Sequence, residues 1–438
     1  MTWPATAEWT PGGELTIGGV AASALAERYG TPLYVFDEAT LRGRARAIRA
    51  AFTAAWPRSR VVYAGKAYLS PTLAAMLWEE GIGLDVVGGG ELYAGLAAGV
   101  PAAAMTMHGN NKSERELREA LEAGIGSIAV DNDLEIEMLA RLATEQASPI
   151  PIVMRLNPGI IPNTHAKMLT GALDSKFGFP ITTGAAAAAV DRVVAAGCFD
   201  LAGYHAHVGS QVFDPALVAE TIGALLAFAA IMRDRHGIAP RTIVPGGGFG
   251  VADDASGDDV SIETWATTAA AALREGCARY GFAEPELVVE PGRAIIGPAG
   301  VTLYRVGARK EIPGVRTYVS VDGGMSDNIR PALYGAAYSA ALANRTAEGP
   351  YERVSIAGKY CESGDVLIEA IDLPRLQPGD LLAVPMTGAY CLAMASNYNL
   401  APRPAAVLVN DGVSRLFRRR ETYADVLASE LLPELATS

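Results

Sequence analysis

One lysine, one glycine-rich loop and one glutamate each follow directly on a short β-type run. Lys66 ends the run "VVYAGK", Gly246, Gly247 and Gly248 follow "TIVP", and Glu290 ends "ELVVE". A lysine amine can bond covalently to a carbonyl cofactor, and the backbone N–H groups of a glycine-rich turn bind phosphate. A carboxylate beside a pyridine nitrogen keeps that nitrogen protonated. These residue types together predict pyridoxal 5'-phosphate as the cofactor.

Two histidines stand two residues apart in "YHAHVG". His205 and His207 would face the same way along a strand, and such a pair can hold a metal ion. The other histidines, at positions 108, 165 and 236, are scattered in the sequence and complete no ligand set there. We therefore expect no metal, and we expect His207 to stack on the face of the cofactor ring.

The elements that must position these residues lie between residues 60 and 290, where β-type runs alternate with Ala- and Leu-rich helical segments. There are eight such runs: "VVYAGK", "GLDVVG", "AMTMHG", "SIAVDN", "PIVMRLN", "LAGYHAHVG", "TIVPGGG" and "ELVVEPG". This alternation predicts an α/β fold with a (β/α)8 TIM-type barrel rather than an open doubly wound sheet. Barrel enzymes place their sites at the face where the strands end, and the polar residues cluster there.

After Gly292 the pattern changes to β-type runs and turns with almost no helix. The runs are "VTLYRVGARK", "TYVSVDGG", "RVSIAGKY", "DLLAVPMTG" and "AAVLVNDG". This pattern predicts a second, all-β domain. The early run "LYVFD" at 33–37 precedes the barrel and is expected to join that domain. We predict an N-terminal segment at 1–40 that contributes to the β domain, a barrel at 41–292 and a C-terminal β domain at 293–438.

Composition excludes several classes of protein. A net charge of -12 over 438 residues argues against nucleic acid as a partner. The uncharged stretch 381–402 is broken by Pro, Gly and Asn, so we interpret it as a buried strand and a turn rather than a membrane span. Four separated cysteines and an N-terminus without a basic-then-apolar pattern are typical of a cytoplasmic protein.

The motifs extend over nearly the whole chain: "YAGKA", "HGNNKS", "THAKMLTGALDSKFG", "HVGSQ", "GGGFG", "EPGRAI", "DGGMSDNIRPALY", "CESGDVL" and "GAYC". Together they resemble the alanine-racemase-fold (fold type III) pyridoxal phosphate decarboxylases, and within them the branch that acts on diaminopimelate. The resemblance implies a shared set of cofactor-binding residues. The set is Lys66 as the covalent attachment, Asp85, His207 on the ring, Ser210 and Gly246, Gly247 and Gly248 on the phosphate, Glu290 at the pyridine nitrogen, and Tyr390.

The resemblance also implies the substrate-binding residues. Arg293, Arg330 and Tyr334 would hold the distal carboxylate of the substrate, together with Tyr390. Cys361 and Glu362 would enter the site from a partner subunit, so the protein is expected to be a homodimer with shared active sites. Cys361 is also expected to be catalytic, as the acid that returns a proton to the carbanion.

Three positions depart from the pattern of the family. Gly88 stands where Ser is frequent, Tyr68 where Asn or Phe is common, and Asn163 where many members have His. These departures concern the surroundings of the site, because the expected cofactor ligands are all present.

The expected reaction is the decarboxylation of meso-diaminopimelate to L-lysine and CO2, the last step of lysine biosynthesis. Arg293 and Arg330 favour a substrate with a second carboxylate, because ornithine or lysine would need an acidic residue there. A decarboxylase of the ornithine, lysine, arginine or carboxynorspermidine type is the alternative, as is a racemase of the same fold, which would be expected to place an arginine at the pyridine nitrogen. A non-catalytic cofactor-binding barrel and a metal hydrolase using His205 and His207 are rivals from other classes.

Overall fold

The structure is a computed structural model that describes residues 3–160, 174–251, 260–347 and 349–431. The chain divides into two compact units. The barrel unit contains the described residues from Arg42 to Val251 and those from residue 260 to Ile295. The β unit contains the described residues up to Leu41 and those from Ile296 onward.

The N-terminal part of the β unit consists of short elements. They are β1 (Glu8–Trp9), β2 (Leu15–Ile17), β3 (Val20–Ala21), α1 (Ala22–Tyr29) and β4 (Leu33–Asp37). The fifth of these is the run "LYVFD", and all five of its residues are buried.

The barrel consists of eight strands. They are β5 (Ser59–Ala64), β6 (Gly83–Val86), β7 (Met105–Met107), β8 (Ser127–Val130), β9 (Ile150–Asn157), β11 (Phe199–His205), β12 (Thr242–Gly247) and β13 (Glu286–Glu290), while β10 (Phe179–Pro180) pairs with β9 outside the barrel. Every barrel strand pairs in parallel with the next one along the chain, and β13 returns to β5, which closes the barrel. The predicted TIM-type fold is therefore confirmed, and each predicted run corresponds to one strand.

Helices alternate with the barrel strands. They are α2 (Glu38–Ala55), α3 (Pro71–Glu79), α4 (Gly89–Ala97), α5 (Glu114–Ala123), α6 (Asp133–Leu142), α7 (Ala185–Ala196), α8 (Ala216–His236), α9 (Ile262–Tyr280) and α10 (Arg293–Ile296). The sequence fixes several of their ends. At the start of α5, the Ser113 side chain accepts from the N–H of Glu116, and the Glu116 side chain accepts from the N–H of Ser113. These two bonds provide acceptors for backbone N–H groups that have none within the helix. Gly124 ends that helix in the left-handed conformation.

The rest of the β unit is mostly strand. Its elements are β14 (Gly300–Ile312), β15 (Arg316–Val321), α11 (Arg330–Tyr334), β16 (Ala341–Leu342), β17 (Tyr351–Ala357), β18 (Val366–Pro374), β19 (Leu381–Pro385), β20 (Ala405–Asn410), β21 (Val413–Arg418) and α12 (Tyr423–Val426). The main sheet has the order β18-β17-β15-β14-β4-β20-β21, so β4 lies between β14 and β20. Among the strands after Gly292, β16, β18 and β21 correspond to none of the runs predicted from the sequence.

The long strand β14 contributes to two hydrophobic cores because successive side chains point to opposite faces of a sheet. Val301 and Leu303 belong to one core with residues of β4 and β20. Tyr304 and Val306 belong to the other core with residues of β15 and β17.

Among the described helices, α8 is long and apolar enough to cross a membrane, with half of its most apolar window buried in the structure. The buried core helix of a globular protein has the same properties, so length and composition alone carry little weight. The uncharged stretch 381–402 forms β19 and two short 3-10 turns, in agreement with its interpretation as a strand and a turn.

Candidate active site

Lys66 lies in a single 3-10 turn, Gly65–Ala67, that directly follows β5. Its side chain is exposed although the residues on both sides are buried. Gly65 is needed in this turn because a Cβ there would lie 2.9 Å from the carbonyl oxygen of Asp85. Burial raises the pKa of Asp85, and the positive charge of Lys66 opposes this rise. Burial and the same charge lower the pKa of His207. Lys66 thus acts electrostatically on both of these predicted residues.

Glu290 ends β13, and each of its carboxylate oxygens faces one imidazole. Oε2 lies 3.0 Å from Nε2 of His205, and Oε1 lies 3.1 Å from Nε2 of His108. Burial alone would raise the pKa of Glu290, but the two histidines hold it well below its usual range. The carboxylate is therefore negatively charged at neutral pH.

The two histidines next to Glu290 differ in their charge preference. Burial opposes a charge on His108, but the neighbouring Asp85 and Glu290 carboxylates raise its pKa above the usual value. Burial lowers the pKa of His205 to about 4. The group therefore contains a buried carboxylate next to one imidazole that accepts a proton readily and one that stays neutral.

His207 lies beside the glycine-rich loop that follows β12. Burial and the charges of Lys66 and Arg155 lower the pKa of His207 well below its usual value, so the ring is neutral. The N–H of Gly247 donates to His207 Nδ1 at 3.4 Å. A neutral imidazole offers an uncharged aromatic face.

The glycine-rich loop depends on glycine at successive positions. Gly246 and Gly248 have φ of 84° and 86°, a left-handed conformation that favours glycine. A Cβ on Gly247 would lie 1.9 Å from the carbonyl oxygen of Glu290, and one on Gly248 would lie 2.0 Å from that of Gly209. The loop is therefore packed against the segment that ends in Ser210, and the four predicted phosphate residues lie together.

Further charged residues surround these groups on the neighbouring strand ends. Arg155 on β9 lies 3.4 Å from Asp131, which follows β8. Lys112 and Glu135 form a buried ion pair at 2.8 Å, and Lys112 Nζ also donates to the carbonyl of Ala129. These pairs link the loops that follow β7, β8 and β9.

In the β unit, Arg330 begins α11 and is buried among aromatic side chains. Its Nε donates to the Tyr338 hydroxyl at 2.9 Å. Its guanidinium carbon lies 5.6 Å from the centre of the Tyr334 ring and 6.0 Å from that of the Tyr390 ring. In the part of the chain that the structure describes, no carboxylate lies within ion-pair distance of Arg330. Three of the predicted substrate residues, Arg330, Tyr334 and Tyr390, are thus brought together.

Tyr390 has a φ of 60°, which is unusual for a bulky residue. Non-glycine residues in this region cost about 1–3 kcal/mol each, and such strain is frequent at functional sites. The ring of Tyr390 lies beside Arg330, whose guanidinium carbon is 6.0 Å from the ring centre.

Cys361 and Glu362 lie in the exposed loop between β17 and β18. The N–H of Cys361 donates to Asn399 Oδ1 at 3.1 Å, and the Tyr398 hydroxyl donates to the carbonyl of Cys361 at 3.3 Å. Asp365 is buried at the base of this loop. Both side chains that were predicted to act in a partner's site therefore project from a loop whose backbone is held in place.

Arg293 begins α10 directly after the turn at Pro291 and Gly292, and it is buried. That turn lies against the Lys66 turn, because a Cβ on Gly292 would lie 3.1 Å from the Cβ of Ala67. Asn163 and most of "THAKMLTGALDSKFG" lie outside the described residues.

Sequence reasoning overlooked several residues of the site. It regarded His108 as scattered, yet the fold brings His108, His205 and Glu290 together, with one ligand atom from each within 4.8 Å of the others. This group has ligand types that bind metals, and it contains His205 but not His207, so the pair of histidines seen in the sequence is not the group that the fold brings together. Arg155 and Tyr338 were also missed. A signal for Arg155 was present in the sequence. Asn157 is the polar residue that ends β9, and Arg155 stands two residues before it, so both side chains lie on the same face of the strand.

The residues present fit pyridoxal phosphate. The glycine turns expose backbone N–H groups, the Glu290 carboxylate is ionised, and Lys66 is exposed among buried neighbours. In addition, Asp85 Oδ1 is buried without a hydrogen-bond partner among the described residues. A barrel with these groups at its carboxyl-terminal face defines a pyridoxal phosphate-dependent enzyme, and a model of the family "Pyridoxal-dependent decarboxylase, pyridoxal binding domain" matches residues 39–297.

The chain belongs to the diaminopimelate decarboxylase family. It is 48% identical over 425 residues to diaminopimelate decarboxylase of Bacillus subtilis, covering 96% of this chain and 95% of that protein. The Synechocystis enzyme of the same name is 44% identical, covering 98% and 93%. The crystal structure of diaminopimelate decarboxylase from M. jannaschii superposes with a TM-score of 0.91 at 32% identity, covering 99% of both chains, and that protein has also been crystallised with L-lysine.

Family membership establishes the class of reaction. The protein is a pyridoxal phosphate-dependent carboxy-lyase of lysine biosynthesis. The predictions of cofactor and enzyme class are therefore confirmed. Family membership favours them over the three rivals, which were a racemase, a metal hydrolase and a non-catalytic barrel.

Proposed function

We propose that this enzyme removes CO2 from meso-diaminopimelate to form L-lysine, with the residues named below in specific roles. The observation that carries the substrate preference is the buried Arg330. A buried guanidinium without a carboxylate partner is costly unless a ligand supplies one, and guanidinium binds carboxylate through two parallel hydrogen bonds. The second carboxylate of diaminopimelate meets this need, whereas ornithine and lysine lack it.

The proposed cofactor site is in the barrel unit. Lys66 would bond covalently to pyridoxal phosphate, His207 would lie against its ring, and Ser210 with Gly246, Gly247 and Gly248 would bind its phosphate. Glu290 would hold the proton on the pyridine nitrogen because its carboxylate stays ionised, and Asp85 would support it. When bound, the cofactor supplies an electron sink for the charge that remains when CO2 leaves.

The proposed substrate site uses the other predicted residues. Arg293, Arg330 and Tyr334 would hold the distal carboxylate. Tyr390 would close on the substrate and the cofactor phosphate. This arrangement fixes which carboxylate remains bound and which one is lost.

We propose that Cys361 and Glu362 act in the site of a partner subunit of a homodimer. Glu362 would bind the distal ammonium group, and the Cys361 thiol would return a proton to the α-carbon. The support is their exposure on a loop whose backbone is held by Tyr398 and Asn399. An exposed thiol and carboxylate on a fixed loop suit a role across an interface.

The remaining proposals concern organisation and location. We propose two functional domains. Residues 1–40 and 293–438 together form the β domain, and residues 41–292 form the barrel domain. The division of the chain into a β unit and a barrel unit supports this proposal. A cytoplasmic location is supported by the cysteines, since none of the four, all within the described residues, forms a disulfide.

The test is an assay of CO2 release from a panel of amino acids. The panel contains the three diaminopimelate stereoisomers, ornithine, lysine and arginine. We expect release from meso-diaminopimelate with L-lysine as the product, and at least about a hundredfold lower kcat/KM for ornithine, since a site with an unmatched arginine rejects it. Comparable rates for ornithine or lysine would contradict the proposal and favour the alternative diamino-acid decarboxylase.

A further inference from the structure

A cavity of about 210 Å3 occupies the inside of the barrel. Barrels of this type are usually filled by layers of side chains, so a cavity of this size is a departure from the packed interior. Its wall includes Arg60 and Glu286 near the amino-terminal ends of β5 and β13, and His205 and Glu290 at the carboxyl-terminal ends of β11 and β13. The cavity therefore extends from the amino-terminal face of the barrel to the charged group at the candidate site.

Solvent exposure falls along this wall. The Arg60 and Glu286 side chains are 36% and 35% exposed, and they form an ion pair at 3.1 Å at the amino-terminal face. Ala202 is half-buried although it lies in the middle of β11, whereas His205 at the end of that strand is 1% exposed. Solvent thus enters the cavity from the amino-terminal face, and the cavity ends at the buried group.

Two buried polar atoms belong to residues of this wall. His205 Nδ1 and Ser127 Oγ have no hydrogen-bond partner within the described part of the chain. The other ring nitrogen of His205 faces Glu290 Oε2 at 3.0 Å, which favours a proton on Nε2 and leaves Nδ1 as an acceptor. Buried polar atoms are almost always hydrogen-bonded, and water is the usual partner where a polar cavity has room for it. A cavity of about 210 Å3 has room for several water molecules.

We propose that this cavity holds a file of water molecules that carries protons between the amino-terminal face of the barrel and the Glu290 group. The water next to His205 donates a proton to Nδ1, while Nε2 passes its own proton to Glu290. The carboxylate is neutral only while it carries this proton, and it is ionised at rest. Each water in the file then takes a proton from the next, so one proton enters from bulk water for each one delivered. The reverse sequence returns the proton to bulk water.

The path differs from the face where the substrate enters. Asp85, Arg155 and His207 also interact electrostatically with the buried group, but the described wall of the cavity does not include them. A ligand that covers the carboxyl-terminal face would close that side to water, and the cavity would leave a second side open. A role of this path in the reaction rests on the role proposed for Glu290. The presence of water in the cavity and the exchange of protons with solvent do not depend on that role.

The first test is a crystal structure of the holoenzyme at a resolution that shows ordered water. We expect water within hydrogen-bond distance of both His205 Nδ1 and Ser127 Oγ, in a file that continues to the Arg60 and Glu286 ion pair. A cavity without ordered water at either atom, or one filled by a side chain, would overturn the proposal.

The second test measures how fast the buried imidazole N–H proton of His205 exchanges with solvent, by proton NMR of the holoenzyme with labelled histidine. Ala202→Leu places an apolar side chain in the passage, and Thr106→Val removes a hydroxyl from its wall. We expect Ala202→Leu to slow the exchange by about tenfold or more, because the proton must then wait for a local opening of the barrel. Thr106→Val, which keeps the side-chain volume, should slow it by a smaller factor and also serves if the leucine variant does not fold.

Matched substitutions elsewhere in the barrel unit provide the controls. Ala54→Leu changes an exposed position of α2, and Thr221→Val removes a buried hydroxyl that donates to Leu217 in α8. Both should leave the exchange rate of His205 unchanged. Equal exchange in the cavity variants and the controls would show that protons reach the group by another route. Because no substrate is needed, this result is independent of the proposed reaction.

Discussion

The barrel unit and the β unit hold their buried carboxyl groups in different ways. In the barrel unit, Glu290 faces two imidazoles and Glu135 is paired with Lys112, and these residues lie at strand ends or helix starts. In the β unit, Asp327 accepts from the Gly324 N–H at 2.9 Å and from a tyrosine hydroxyl at 2.6 Å, and it lies in a loop.

Asp365 extends this contrast, because it links two loops of the β unit. One of its carboxylate oxygens accepts from the N–H of Met325 at 2.6 Å, and the other accepts from the N–H of Tyr360 at 2.8 Å. The first loop leads to Arg330 and the second carries Glu362. Glu290 and Glu135 of the barrel unit thus face imidazole or ammonium groups on regular elements, while Asp327 and Asp365 of the β unit shape loops by accepting from N–H and hydroxyl groups. This division suits cofactor chemistry in the barrel unit and substrate recognition in the β unit.

The largest effect is expected at Lys66 in the barrel unit. Lys66→Ala should abolish the visible absorbance of the bound cofactor and turnover, because the covalent attachment is lost. Absorbance spectra and mapping of the lysine labelled by borohydride reduction provide the measurement. Lys310→Ala, at an exposed position of the β unit, is the control and should retain both properties. Label on a different lysine in the wild-type enzyme would remove Lys66 from this role.

The next largest effect should follow from Glu290→Gln. The amide is neutral and cannot hold a proton on the pyridine nitrogen, so the cofactor should stay bound while kcat falls by about a hundredfold or more. Cofactor content and steady-state kinetics separate the two properties. A wild-type kcat would contradict the proposed role of the carboxylate.

A change in the β unit should instead affect recognition of the substrate. Arg330→Lys keeps the positive charge but loses the two-pronged hydrogen bonding, so KM for diaminopimelate should rise roughly 10- to 100-fold, more than kcat falls. The measurement is a full kinetic comparison with wild type. An unchanged KM would place Arg330 outside the substrate site.

The smallest effect concerns the stability of the β unit. Burial raises the pKa of Asp327 to about 7, above the usual 3.8. The folded protein therefore keeps a proton that the unfolded chain has released, so this stabilising contribution is complete below about pH 4 and is lost as the pH rises towards about 7. Asp327→Asn, which has no charge at any pH, should flatten this part of the pH dependence of the free energy of unfolding.

Asp380→Asn is a matched control, because the contribution of Asp380 to the free energy of unfolding changes with pH in the opposite direction. Although burial opposes it, Arg345 and the N–H of Gln377 hold the pKa of Asp380 below its usual value, so its contribution is lost as the pH falls. Denaturant unfolding at several pH values would measure both variants. The same pH profile for Asp327→Asn and wild type would show that Asp327 does not hold the extra proton.

The contrast between the units also explains what the sequence could predict. The eight barrel strands were visible because buried parallel strands form short apolar runs between helical segments. Lys66, His207 and Glu290 could be predicted as site residues because each stands in or directly after such a run. The exposed side of β21 and the mixed pattern of β18 provide a weaker signal, and both strands were missed.

The partners of these residues were harder to predict because they come from distant parts of the chain. His108 and His205 are separated by 97 positions, yet their ring centroids lie 4.8 Å apart because barrel closure brings the strand ends together. Tyr338 meets Arg330 only because α11 turns the chain back at Gly335. Local patterns contain neither the closure nor the turn, so they predict the candidate residues but not their contacts.

We propose that, in a homodimer, the barrel unit of one subunit works with the β unit of its partner. The most direct measurement is to refold equal amounts of Lys66→Ala and Glu362→Ala proteins together, each inactive alone. A hybrid dimer would then contain one intact site and one site with both lesions, so random pairing should restore about a quarter of the wild-type sites. If each subunit holds a complete site of its own, every site retains one lesion. An inactive mixture in which hybrid dimers are shown to form would contradict the account.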